Sequence, residues 1–265
     1  MADPGFEALI AQIADQHGFR CDAYKTGCIR RRIASRMRAR AIPTFAAYGE
    51  LLRRDPAEAR RLLEALTIHV SRFYRNPETW DWMRRHLLPA LWDRCGGALR
   101  CWSAGCATGE EPYTLALLLL EEARQRGSTF RGHVDASDFD EESLARGAQG
   151  LFPRAAIRDL PADLAQRYLD GREPVRVAPE ARQLIRWVRH DLTRDPPPAP
   201  PYDLVLCRNV LIYFEPAVQA RLAAAVVQAL APGGYLVLGK VEAIRGEARD
   251  HVVLENARER IYRRI

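Results

Sequence analysis

The chain has 265 residues, room for one large domain or two smaller ones. Hydrophobic residues make up 48% and charged residues 28%, which excludes a disordered or fibrous chain. Six cysteines without a CxxC pair signal neither a disulfide framework nor a metal site, and a formal net charge of +6, carried mainly by arginine, favours an acidic partner.

Residues 1–70 read as all-helical. Phe6, Leu9, Ile10 and Ile13 recur at helical spacing, and Asp55–Pro56 is a cap and first-turn pair opening a helix with Leu62, Leu63 and Leu66. Between them, Ile29, Ile33 and Met37 mark a buried stripe. Lys25, Arg30, Arg31, Arg32, Arg36, Arg38 and Arg40 cover the rest, as a solvated face or as a docking surface. The start MADPGFEALI lacks a secretory pattern and no apolar run reaches membrane-spanning length, so the cytoplasm is the expected location.

Asn76–Pro77 repeats the cap signal and opens a connecting helix toward Leu88, which places a linking segment over residues 71–95. From residue 96 onward the pattern is α/β. LRCWSAGCATGEEPYTLALLLL reads as a buried strand, a turn on Gly105, Ala107 and Gly109, and an apolar helix, the form in which an open sheet presents its first ligand loop. Small residues let the backbone bend and a ligand approach it. Glu110 and Glu111 at the helix start argue against phosphate there and for a cationic or hydroxyl-rich ligand. Cys106, inside the turn, is either a buried small residue or a nucleophile.

HVDASD predicts a second strand ending at Asp138, whose carboxylate either accepts from ribose hydroxyls or caps the helix after it. LPADLAQRYL is a short amphipathic helix. VRVAPEARQLIRWVRHDL alternates like two strands around a turn, an antiparallel lobe inserted at about residues 172–190. Beyond the stiff DPPPAPP loop, YDLVLCRNVLIYF is a buried strand delivering Arg208, Asn209 and Tyr213 to its carboxyl end, where ligands of such sheets collect. Glu215–Pro216 opens a helix to about Leu230, and the tail reads as a hairpin closing the sheet edge.

HVSRFYRNP, WSAGCATGEEPYTLA, ASDFDEESLARGAQGLF and DLVLCRNVLIYFEP together resemble, in order and spacing, the CheR-type chemotaxis receptor methyltransferases. The resemblance covers nearly the whole chain. It implies a Rossmann-like class I methyltransferase sheet with a small all-α N-terminal domain and a small antiparallel β insertion. It also implies S-adenosylmethionine as cofactor, S-adenosylhomocysteine as product, and methylation of glutamate side chains on cytoplasmic chemoreceptor helices. Carried over by position, His69, Ser71, Arg75, Gly105, Glu111, Asp138, Asp191, Leu192, Arg208 and Asn209 would hold the cofactor. Arg75 and Tyr213 would lie nearest the transferred methyl. Asp138 would take the ribose hydroxyls and Glu111 the cationic end, a task Glu110 could share. His69 and Tyr213 also admit plain packing roles.

The chemistry suits those residue types. A glutamate carboxylate, with a reference pKa of about 4.3, is already ionised at neutral pH, so the enzyme needs to position its nucleophile more than to create it. Arg75 can grip one carboxylate oxygen while the other attacks, and the Tyr213 hydroxyl can orient the pair. The chain departs from the family at His69 and Ser71, where Asn and Thr are usual, and at Gly239–Lys240–Val241–Glu242, where Gly-His-Ser-Glu is usual, which alters the expected site wall. The lobe is short around Asp170 to Pro174, which implies receptor recognition independent of a C-terminal peptide tether. The expected partner is the acidic receptor helix, met by the basic stretch Lys25 to Arg40, with no nucleic acid and no membrane insertion. The competing readings are a methyltransferase acting on RNA or another protein, and a non-catalytic cofactor-sensing module.

Overall fold

The computed structural model describes residues 3–67 and 71–265. The chain divides into two compact units, one of Met1–His69 with Tyr213–Gln219, the other of Val70–Ile212 with Ala220–Ile265. No helix among the described residues is long and apolar enough to cross a membrane.

The first unit contains α1 (Pro4–His17), α2 (Thr26–Ala39), α3 (Phe45–Arg54) and α4 (Pro56–Leu66). Each start follows from a local signal. The Asp3 side chain accepts from the Gly5 and Phe6 N–H groups, Thr44 from Ala47, and Asp55 from Ala57 and Glu58, with Pro56 in the first turn. Phe6, Leu9 and Ile13 of α1, Ile29, Ile33 and Met37 of α2, and Leu62 and Leu66 of α4 are buried, which bears out the helical stripes. Glu58 is fully buried with them. Its carboxylate accepts from Arg36 through two nitrogens, at 3.0 and 2.6 Å, and from the Tyr48 hydroxyl at 2.8 Å. Tyr213–Gln219 joins this unit by pairing. The Lys25 N–H donates to the Tyr213 carbonyl at 2.8 Å, and Tyr24 bridges to Phe214.

The second unit opens with α5 (Pro77–Trp82), a π turn (Met83–Leu87) and α6 (Leu88–Cys95). Its strands are β1 (Arg100–Ala104), β2 (His133–Asp138), β3 (Leu151–Phe152), β4 (Val175–Arg176), β5 (Ile185–Arg189), β6 (Tyr202–Cys207), β7 (Leu230–Leu238), β8 (Val252–Asn256) and β9 (Ile261–Arg264). The helices are α7 (Glu110–Gln125), α8 (Glu141–Gln149), α9 (Ala162–Tyr168), α10 (Pro179–Gln183) and α11 (Pro216–Ala229), the last belonging to this unit from Ala220 onward. The seven-stranded sheet runs β5-β2-β1-β6-β7-β9-β8, parallel except that β9 is antiparallel to both of its neighbours. Strand order reverses between β1 and β6, and such a reversal opens a crevice at the carboxyl ends of the strands. This is the Rossmann-like sheet that the resemblance implies, and β8 with β9 forms the expected closing hairpin.

Two expectations are corrected. The antiparallel lobe exists as β3 paired with β4, whereas Ile185–Arg189 joins the main sheet parallel to β2. Alternation marks a strand but does not name its partner. Asn76 stands at the start of α5 with φ +63°, yet its side chain does not cap the helix. Its Oδ1 accepts instead from Arg208 at 3.3 Å.

Candidate active site

The turn after β1 is built by three left-handed residues, Gly105 (φ +75°), Ala107 (φ +50°) and Gly109 (φ +100°). Packing by itself already requires glycine at two of them. A Cβ at Gly105 would stand 2.7 Å from Val210 Cγ2, and one at Gly109 would stand 2.5 Å from the Trp187 ring. The N–H groups of Gly105 and Cys106 donate to the Ser137 carbonyl at 2.8 and 2.9 Å, which locks the turn to the end of β2. There Asp138 accepts from the Ala107 N–H at 2.9 Å and from the Asp140 N–H at 3.0 Å. The cap of α8 is Asp140, not Asp138, so the helix-cap reading of Asp138 falls away. Cys106 is buried, and burial pushes its thiol well above the usual range, which leaves an inert protonated thiol rather than a nucleophile.

Glu111, in the first turn of α7, accepts from the Ser103 hydroxyl at 2.8 Å and pairs with Arg208 at 3.2 Å. Burial pushes its carboxyl up, while the charges of Arg208 and, more weakly, Arg75 oppose that rise. Glu110 turns to the Thr108 hydroxyl, at 2.7 Å, so Glu111 is the carboxylate that joins β1 to the loop after β6.

The Arg208 side chain is 2% exposed. Besides Glu111 it reaches the Arg75 carbonyl at 2.7 Å, and its guanidinium lies 5.1 Å from the centre of the Trp80 ring. Trp80 Nε1 donates to the same Arg75 carbonyl at 3.0 Å. Burial holds the Arg208 guanidinium below its usual range, with Glu111 opposing.

The segment carrying Arg75 is strained. Tyr74 and Asn76, on either side of it, both have left-handed backbones, φ +56° and +63°. For a residue as bulky as Tyr74 that conformation persists only where the surroundings enforce it. They do: its N–H donates to Thr114 Oγ1 at 3.0 Å, its hydroxyl to Asp81 at 2.8 Å, and its ring stacks on Trp80.

Arg75, Glu111 and Arg208 therefore form one assembly, and Gly105 and Asp138 form a second around the β1 turn. Asn209, left-handed at φ +61°, is held through its N–H by Glu242. Asp191, after β5, is committed to its own loop, accepting from the Thr193 N–H at 2.8 Å and hydroxyl at 2.7 Å, and Leu192 beside it is half-buried. Ser71 is half-buried. Tyr213 belongs to the helical unit, where the Arg32 guanidinium lies 5.6 Å from the centre of its ring. His69 lies outside the described residues.

Four contributors went unassigned in the sequence. Asn76 carried only a cap signal, and neither it nor Trp80 showed in the local pattern that it meets Arg208, far along the chain; Ser103, which donates to nearby Glu111, was passed over. Glu242 did carry one, as the last residue of the altered Gly-Lys-Val-Glu stretch. In the same stretch, Lys240 Nζ pairs with Glu78 at 2.9 Å and Glu259 at 3.5 Å.

The model for the CheR methyltransferase SAM-binding domain matches residues 69–261, and that for the CheR methyltransferase all-alpha domain matches residues 4–67. The chain belongs to the CheR methyltransferase family. An uncharacterized 104.1 kDa protein of Rhodobacter capsulatus is 37% identical over 245 residues, 91% of this chain but 26% of that protein, so the chain spans about a quarter of that relative. A chemotaxis protein methyltransferase of Listeria innocua is 32% identical over 228 residues, 85% of this chain and 84% of the relative. Among solved structures, an S-adenosylmethionine-dependent methyltransferase from Mesorhizobium loti is 27% identical with a TM-score of 0.31, covering 57% of this chain and 50% of that one.

The cofactor of this family is S-adenosylmethionine, and the donor set fits it. Carboxylates stand at the end of β2 and the start of α7, groups of the kind that accept from hydroxyl and ammonium donors, and the acidic helix start offers no seat for phosphate.

Proposed function

We propose that this CheR-family protein methylates glutamate side chains on the cytoplasmic helices of chemoreceptors, forming glutamate methyl esters. The observation that carries the reading is Arg75. Its main chain lies in a strained segment whose carbonyl is gripped by Arg208 and Trp80, and a guanidinium carried on a firmly held backbone suits an already ionised acceptor. The cofactor supplies an electrophilic methyl on a sulfonium. The protein's part is then to orient and to exclude water. Arg75 holds one oxygen of the incoming glutamate and leaves the other in line, a positioning effect worth up to roughly 7–11 kcal/mol in well-aligned systems. Asp138 and Glu111 seat the cofactor, with Gly105, Asn209, Asp191, Leu192, Ser71 and His69 as the remaining contacts we assign. For Tyr213 the proposed role is orientation through the hydroxyl, read out as a lower kcat in Tyr213→Phe.

The receptor-facing surface we propose is α2. Arg36 and Arg40 pair with Glu58 and Arg30 with Asp3, which leaves Lys25, Arg31 and Arg38 exposed for an acidic partner. Recognition is proposed to need no receptor tether.

The test combines purified protein, labelled S-adenosylmethionine and a receptor cytoplasmic domain. The reading expects label on the receptor that mild base releases as methanol. Base-resistant label would contradict a carboxylate acceptor, and label on RNA would favour the other methyltransferase reading.

A further inference from the structure

The geometry points to Glu242 as the positioning residue for the cofactor loop after β6, a role that rests on the methyltransferase reading above. The Glu242 side chain folds back under the carboxyl ends of two adjacent strands and collects three main-chain donors. Its Oε2 accepts from the Asn209 N–H at 2.7 Å and the Gly239 N–H at 2.6 Å, and its Oε1 accepts from the Ile212 N–H at 3.2 Å. Its own N–H donates to the Gly239 carbonyl at 2.9 Å, which closes the turn tightly after β7. The residue is 4% exposed, so these bonds operate away from water, where an ionised acceptor binds N–H groups most strongly.

One carboxylate thus ties β7 to both ends of Asn209–Ile212, the stretch that follows Arg208 directly. It also accounts for the Asn209 backbone at φ +61°, since the N–H of that residue is drawn toward Glu242. Asn tolerates the left-handed region better than most residues, but an anchor is needed to hold it there. Gly239 completes the fit. A Cβ on it would stand 2.7 Å from Asn209 Nδ2, 2.7 Å from Glu242 Oε2 and 2.8 Å from the Asn209 nitrogen. The space between the two strand ends is therefore closed to any side chain at position 239. Glu242 acts through Asn209 and on the cofactor, not on the methyl acceptor.

The test is titration of S-adenosylhomocysteine by calorimetry, with steady-state kinetics alongside. Glutamine has one acceptor oxygen and turns an N–H₂ group toward a donor, so Glu242→Gln must give up at least one of the three bonds. Expected is a Kd for S-adenosylhomocysteine raised at least fivefold, the same rise in KM for S-adenosylmethionine, and kcat at saturating cofactor within threefold of the unaltered protein. Where Glu242→Gln does not fold, Gly239→Ala carries the test, since its Cβ strikes the same contact while the carboxylate stays. A folded variant with a lower melting temperature but Kd within twofold would show a purely structural residue and overturn the inference. Failure of the unaltered protein to bind S-adenosylhomocysteine would overturn the cofactor reading beneath it, and this inference with it.

Discussion

At Arg75 the functional group is placed by its neighbours' backbones. Two adjoining left-handed residues and two donors on one carbonyl leave the main chain little freedom, so the cost of ordering the backbone at Arg75 is met on folding. Arg75→Ala is expected to lower kcat by about 100-fold, the scale seen when one transition-state contact is lost, while S-adenosylhomocysteine affinity changes only a few-fold. Arg75→Lys keeps the charge but not the planar fork and should recover only part of the rate. Steady-state kinetics with a receptor domain checks both. Glu111 makes a different prediction. It is the only carboxylate paired with the buried Arg208 among the described residues, so Glu111→Gln leaves a guanidinium without a counter-charge. About 3 kcal/mol of stability should be lost, measured by urea unfolding. Beside the glycine turn, the acidic helix start and a carboxylate ending the second strand were legible from strand–turn–helix spacing, whereas singling out Glu111 from Glu110 rested on the family resemblance. The orientation of Arg208 was not, because its partners at 75, 76 and 80 are more than a hundred positions away and no periodicity records such a meeting.

The elements themselves were legible wherever a cap or a period fixed them. Asp55 caps its helix as read, and the stripe Ile29, Ile33, Met37 is buried as spaced, whereas α8 is capped by Asp140 where the sequence offered Asp138. The strand at 185–189 shows the limit. Its alternation is real, but whether it pairs with a lobe or with β2 depends on contacts the local pattern does not contain. The join between α7 and α9 was likewise invisible. Glu121 of α7 accepts from Arg124 at 2.7 and 3.1 Å and pairs with Arg167 of α9 at 3.3 Å, and chiefly the Arg124 hydrogen bonds pull its pKa down to about 2. The folded value lies below the unfolded one, near 4.5. Its contribution is therefore fully present above that pH and is lost as pH falls toward 2. Because Arg124 is half exposed, the contribution is on the order of 1 kcal/mol. Glu121→Gln should lower stability at pH 7 and flatten the decline between pH 4.5 and 2, measured by denaturant unfolding across pH.

For the whole molecule, charge is the quantity that composition foresaw and structure redistributes. The net charge of +6 suggested a basic docking face, and α2 carries much of it, yet Arg36 and Arg40 are committed to the buried Glu58. The two groups should separate on mutation. Charge reversal at Arg31 and Arg38 should raise KM for an acidic receptor domain several-fold, with the effect shrinking as salt is added, and leave the melting temperature nearly unchanged. Arg36→Ala should instead lower the stability of the helical unit, by about 3 kcal/mol, because Glu58 would lose its bidentate partner. A receptor KM indifferent to Arg31 and Arg38 would move the docking surface elsewhere. The central claim concerns the atom that receives the methyl, and tandem mass spectrometry of a receptor cytoplasmic domain after incubation with this protein and S-adenosylmethionine reads that atom directly. The account predicts a mass gain of one methylene (about 14 Da) on glutamate side chains, removed by mild base and formed about 100-fold more slowly with Arg75→Ala. The same gain found on lysine, arginine or any nitrogen, and stable to base, would contradict it.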